Sequence, residues 1–139
     1  MKKALLMMIL FCSTAIYAQN SNAWKLYKKQ NGVSIFYKTD QCIDIENGYN
    51  HEVILFKYSN ATQEVKKINY NFEAWFNGTC NNCNGDKSNQ KSIVLKPGEE
   101  TTIDCKDFKN FDKIVFTKHL VNKNQLTFTK FEFNNLIVE

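Results

Sequence analysis

Four cysteines follow the first eighteen residues: Cys42, Cys80, Cys83 and Cys105. Cys80-Asn81-Asn82-Cys83 has the spacing of a redox pair or of half a zinc site. A redox pair wants its thiol pKa lowered, usually at a helix N-terminus. Here the pair sits in a loop rich in Asn and Gly, after a strand pattern and before no helical one. A zinc set of four thiolates would need Cys42 and Cys105 delivered by the fold, and an oxidising compartment would compete for the thiols. An even count in an exported chain points instead to structural disulfides at Cys42, Cys80, Cys83 and Cys105. Three connectivities exist. The reading favours two long-range bridges, with Cys42 and Cys105 each taking one cysteine of the Cys80/Cys83 pair. The close alternative is a local Cys80–Cys83 bridge, which leaves Cys42–Cys105.

His51 and His119 are the only histidines. One opens a strand pattern and the other closes one, so strand parity puts them near a common end. Such a pair, with a nearby carboxylate, could hold a metal or move protons. The plain reading is two surface histidines at strand ends, with no metal ligands expected. Trp75 lies on the polar face of an alternating segment, a position suited to a binding anchor or a sugar-stacking platform. The plainer role is to cover a sheet edge. No Gly-x-Ser-x-Gly and no phosphate-cradling glycine loop occurs. Asp104, Asp107 and Asp112 are too widely spaced for a calcium loop. No catalytic residue and no cofactor is expected.

The elements that must position these residues read as strands. Ile68, Tyr70, Phe72, Ala74 and Phe76 alternate with Asn69, Asn71, Glu73 and Trp75, the pattern of a half-buried strand. Val33–Lys38 alternates likewise. Val53–Tyr58 is a nearly continuous apolar run broken by Lys57. Ile93–Leu95, Thr101–Cys105 and Ile114–Phe116 are shorter. In Leu126–Val138 the apolar phase slips by one, from Leu126 and Phe128 to Phe131 and Phe133, which predicts a β-bulge. Turn signals separate the runs: Asn31-Gly32, Asn47-Gly48, Ser59-Asn60, Asn77-Gly78, Asn84-Gly85, Pro97-Gly98 and Asn122-Lys123-Asn124. Helical periodicity is absent. About seven strands predict an all-β, immunoglobulin-like β-sandwich of antiparallel strands; a small closed barrel is the alternative. With segments running alternately up and down, all four cysteines reach one end.

Lys2 and Lys3 precede an apolar run, Ala4–Phe11, and Ile16-Tyr17-Ala18 precedes Gln19-Asn20. This is the layout of a secretory signal peptide, cut after Ala18. Residues 1–18 are therefore read as the signal and 19–139 as a single β-sandwich domain. Phe11 before Cys12 argues against a lipid-anchored cysteine, and no later run is long enough for a membrane helix. The 139 residues are 43% hydrophobic and 14% aromatic, with one proline, which excludes a disordered chain. All eighteen basic residues are lysine, and cleavage lowers the formal charge from +4 to +2. An arginine-free, mildly basic domain is a poor nucleic-acid binder. The sequons Asn60-Ala61-Thr62 and Asn77-Gly78-Thr79 are read as unmodified turns.

Tyr58-Ser59-Asn60-Ala61-Thr62, the alternating strand after it, and Val94-Leu95-Lys96-Pro97-Gly98-Glu99-Glu100 resemble secreted bacterial immunoglobulin-like domains. In those domains a Leu-x-Pro-Gly turn joins two neighbouring strands. The mature chain and its Tyr-Ala-Gln-Asn junction are similar to small exported proteins of the Bacteroidota. The resemblance implies a fold and no catalytic residues. The expected function is that of an exported, non-enzymatic binding module in the periplasm or outside the cell, with a protein or glycan partner. A small-ligand β-barrel, or a metal or redox protein using the four cysteines, is the alternative.

Overall fold

The computed structural model of the protein describes residues 23–83, 85, 89–102, 105, 114–120 and 126–139. The signal segment, the three aspartates at 104, 107 and 112, and the Asn122–Asn124 turn lie outside these residues. The described chain forms strands β1 (Lys25–Gln30), β2 (Val33–Asp44), β3 (Tyr49–Asn60), β4 (Lys66–Phe76), β5 (Thr79–Cys80), β6 (Gln90–Leu95), β7 (Glu100–Thr102), β8 (Ile114–His119) and β9 (Phe128–Val138). All pairings are antiparallel, and they make two sheets.

In the first sheet β1, β2 and β3 lie side by side. β2 covers one edge of β3 from Tyr49 to Asn60. The other edge is shared, with β8 along His51–Leu55 and β7 along Lys57–Ser59. In the second sheet β4 is central. β9 runs along one edge, and β6 and the short β5 divide the other. Two hairpins close on Asn-Gly. Asn31 and Gly32 both take positive φ, as do Asn77 and Gly78, which is what a two-residue turn matched to strand twist requires.

The sheets pack face to face. Ile35, Ile54, Phe56 and Tyr58 from the first meet Ile68, Tyr70, Leu95, Phe133 and Val138 from the second in one buried cluster. Phe56 stands 5.0 Å from Phe131 and 5.1 Å from Phe133 between ring centroids, and the Tyr58 and Tyr70 hydroxyls are hydrogen-bonded at 2.8 Å. The apolar run of β3 is continuous because both of its faces are covered. Ile54 and Phe56 face the second sheet. Val53 and Leu55, pointing the other way, join Cys42, Ile114, Trp24, Phe116 and Cys105 in a second cluster. Tyr27 ties the first described segment to the first cluster and Trp24 ties it to the second.

The predicted bulge in the last strand is present. Phe128 faces Phe76 and Lys130 faces Trp75, leaving Thr129 as the extra residue. β1 was not legible as a strand. Its sequence is Lys-Leu-Tyr-Lys-Lys-Gln, and its register breaks between Leu26 and Lys28, so it carries no period-two pattern.

The favoured cysteine pairing is corrected. Cys42 is bonded to Cys105, with Cα atoms 5.3 Å apart, and Cys80 to Cys83, at 5.7 Å. Cys42 belongs to the outer cluster of the first sheet, where Cys105 also packs, whereas Cys80 and Cys83 follow β4 on the second sheet. The fold thus separates the pairs by sheet.

Candidate functional site

An open cavity of about 470 Å³ lies where β8 approaches the end of β4. Its apolar wall is Phe76, Phe116 and Leu126; its polar wall is His51, His119, Thr117, Lys118 and Asn81. The volume falls within the range of small-ligand sites, which run from roughly 300 to 1,000 Å³.

Register builds the polar wall. His51 on β3 is the direct cross-strand partner of His119 on β8, and the ring centroids are 4.4 Å apart at 70°. Phe116 meets His51 edge-on at 5.1 Å. Between Lys118, opposite Glu52, and Phe116, opposite Val53, β8 carries one extra residue, Thr117. This bulge turns Thr117 inward, where it is buried. Its hydroxyl lies 2.9 Å from the Glu52 carbonyl and 3.0 Å from Glu52 Oε1. Bulges commonly re-aim side chains beside binding sites.

Burial holds the His51 pKa below its ordinary value, and the neighbouring His119 lowers it further. His51 Nδ1 is buried without a hydrogen-bond partner. Protonating His51 would place an unsatisfied N–H there, so the neutral ring is the stable form.

The bridges flank this end. Cys42 is the cross-strand partner of His51 on β2, and Cys80 directly precedes Asn81. The Cys80–Cys83 loop is also fastened to β4. β6 pairs with β4 as far as Asn71, and β5 pairs with Trp75 and Phe76. Between them the Asn82 side chain takes the place of a strand. Its Oδ1 accepts the Ala74 N–H at 2.8 Å and its Nδ2 donates to the Phe72 carbonyl at 2.8 Å. Asn81 N–H donates to the Ala74 carbonyl at 2.9 Å. The spacing of the cysteines thus serves a clamp on a strand edge, and the asparagine inside the loop is the part sequence reasoning passed over.

Trp75 does not line the cavity. It is half-buried on the outward side of β4, with the Lys130 ammonium 4.2 Å from its ring centroid across the β4–β9 ladder. Glu73, its neighbour on the same side, is buried and accepts a hydrogen bond from Asn134 Nδ2 at 3.1 Å. The two histidines, by contrast, are brought together as parity implied. Among the described residues no group of three or more His, Cys, Asp or Glu side chains forms a metal-binding set. No helix of the described residues is long and apolar enough to cross a membrane.

The sequons are built into the fold. Asn60 is buried, and its Nδ2 donates to the Glu64 carbonyl at 2.7 Å and the Lys96 carbonyl at 2.9 Å. Its Oδ1 accepts the Thr62 N–H and hydroxyl at 3.0 and 2.7 Å. Asn77 pairs with Thr127 through both backbone and side chain.

No family model, curated protein or solved structure matches this chain.

Proposed function

We propose that the protein is an exported, non-enzymatic binding module: an immunoglobulin-like β-sandwich, stapled by two disulfides, that takes a small ligand at the histidine end. The cavity between β8 and the end of β4 carries this reading. It combines an apolar wall with a few convergent polar groups, the composition of a ligand site. Leu126 at its rim is 57% exposed, apolar surface of the kind that contact with a ligand would cover.

Two bridges support passage to an oxidising compartment, since cytosolic thiols stay reduced. The immunoglobulin-like reading draws support from the way the chain changes sheets at β3–β4, β6–β7 and β8–β9. The Pro97-Gly98 turn of the resemblance joins β6 to β7 across that change. It is held to the β3–β4 connection by Asn60 and by the Gly98 N–H donating to the Thr62 carbonyl at 3.2 Å. The space between the sheets is filled by aromatic side chains, which favours a packed sandwich with an end pocket over a hollow barrel.

The test is a thermal-shift screen of the secreted, oxidised protein against a small-molecule library, with recovery of each hit by mass spectrometry. The reading predicts hits that raise Tm and return chemically unchanged. Turnover of a hit, or no hit at all, would overturn it.

A further inference from the structure

We propose that the cavity at His51 and His119 binds a small organic anion, a carboxylate carried on an aryl or alkyl body. The inference deepens the reading above and rests on it. Among the described lining residues Lys118 carries the formal charge, the two histidines stand beside it on the polar wall, and no carboxylate is present. Glu52, the register partner of Lys118, lies outside that lining, and its Oε1 sits against the Thr117 hydroxyl.

The lining is also rich in donors. His51 Nδ1 is buried and has no acceptor to receive a proton, so the neutral ring keeps its proton on Nε2. That leaves an N–H donor where a metal ligand would need a lone pair, and it points away from a cation as occupant. Lys118 adds an ammonium and Asn81 a side-chain amide. Charge-assisted hydrogen bonds from such donors favour a carboxylate over a neutral acceptor. Phe76, Phe116 and Leu126 provide the apolar surface against which the body of the ligand would lie.

The experiment is calorimetric titration of the oxidised protein with matched acid and amide probes: phenylacetate and phenylacetamide, indoleacetate and its amide, hexanoate and hexanamide, with acetate as the bodiless control. At least one acid is expected to bind at least about tenfold more tightly than its amide. Acetate should bind far more weakly than that acid. Lys118→Gln should weaken acid binding severalfold and leave amide binding unchanged, while Lys118→Arg should retain it. Lys118 is exposed, so neither variant threatens the fold. Equal binding of acid and amide, indifference to Lys118→Gln, or the absence of binding by every acid would overturn the proposal. Binding of amides alone would sink the anion assignment and leave the cavity standing as a ligand site.

Discussion

His51 and His119 face each other across β3 and β8 at one register position, their rings 4.4 Å apart, beside the bulge that buries Thr117. The two residues are far apart in the chain, and a single antiparallel ladder makes them neighbours.

The first consequence concerns pH. The folded state holds the His51 pKa below its ordinary value, chiefly through burial and then through His119. The unfolded chain therefore binds the proton more readily. Stability is fully present above about pH 6.5, the ordinary histidine value, and is lost as pH falls through the lower folded pKa. Urea unfolding between pH 7.5 and 5 should show a decline that His51→Gln flattens. His119→Gln should shift the His51 proton resonances to titrate at higher pH, because it removes the second of the two causes.

The bridges should differ in their contributions. Cys42–Cys105 spans 63 residues and Cys80–Cys83 only three. On loop-closure entropy the long bridge contributes about 4 kcal/mol and the short one about 2. The Cys42→Ser/Cys105→Ser pair should lower Tm by roughly 10 °C or more, and Cys80→Ser/Cys83→Ser by clearly less, measured by calorimetry.

Asn82 should matter more than its place in a polar loop indicates. Asn82→Ala removes the partners of the Ala74 N–H and the Phe72 carbonyl on β4. The expected cost is about 1–3 kcal/mol in denaturant titration, with faster amide exchange at Ala74. Asn82→Asp keeps the acceptor for Ala74 and loses the donor to Phe72, and should fall between.

Asn60 is the third structural test. Its side chain joins the β3–β4 connection to the Pro97-Gly98 turn through the Lys96 carbonyl. Asn60→Ala should destabilise by about 1–3 kcal/mol, since it removes the side-chain bonds to the Glu64 and Lys96 carbonyls and to the Thr62 N–H. Its Nδ2 is already engaged, so the sequon should carry no glycan even when the protein passes through a glycosylating pathway.

The strands with clean periods were legible in the sequence because burial on one face imposes alternation, as in β4, and burial on both imposes a continuous run, as in β3. The Asn31-Gly32 and Asn77-Gly78 turns were legible because two successive positive-φ residues favour Asn and Gly. The slip in β9 showed as a change of phase. β1 was hidden because its lysines and its register break leave no pattern; only Tyr27 reveals it, packing inward and accepting the Phe133 N–H at its hydroxyl at 3.0 Å. The cysteine connectivity was not legible because it depends on which sheet each cysteine joins. The cavity was half legible. Parity brought the histidines to one end, but the Thr117 bulge and the approach of Phe76, Asn81 and Leu126 come from long-range packing.

The most direct measurement is amide chemical-shift mapping on the oxidised, isotope-labelled protein with the strongest ligand from the screen. The account predicts saturable shifts concentrated at Phe76, Asn81, Phe116, Thr117, Lys118 and His119, with Trp75 and Lys130 little changed. Shifts centred on Trp75 and Lys130, or along β1, with the histidine end unmoved, would contradict it.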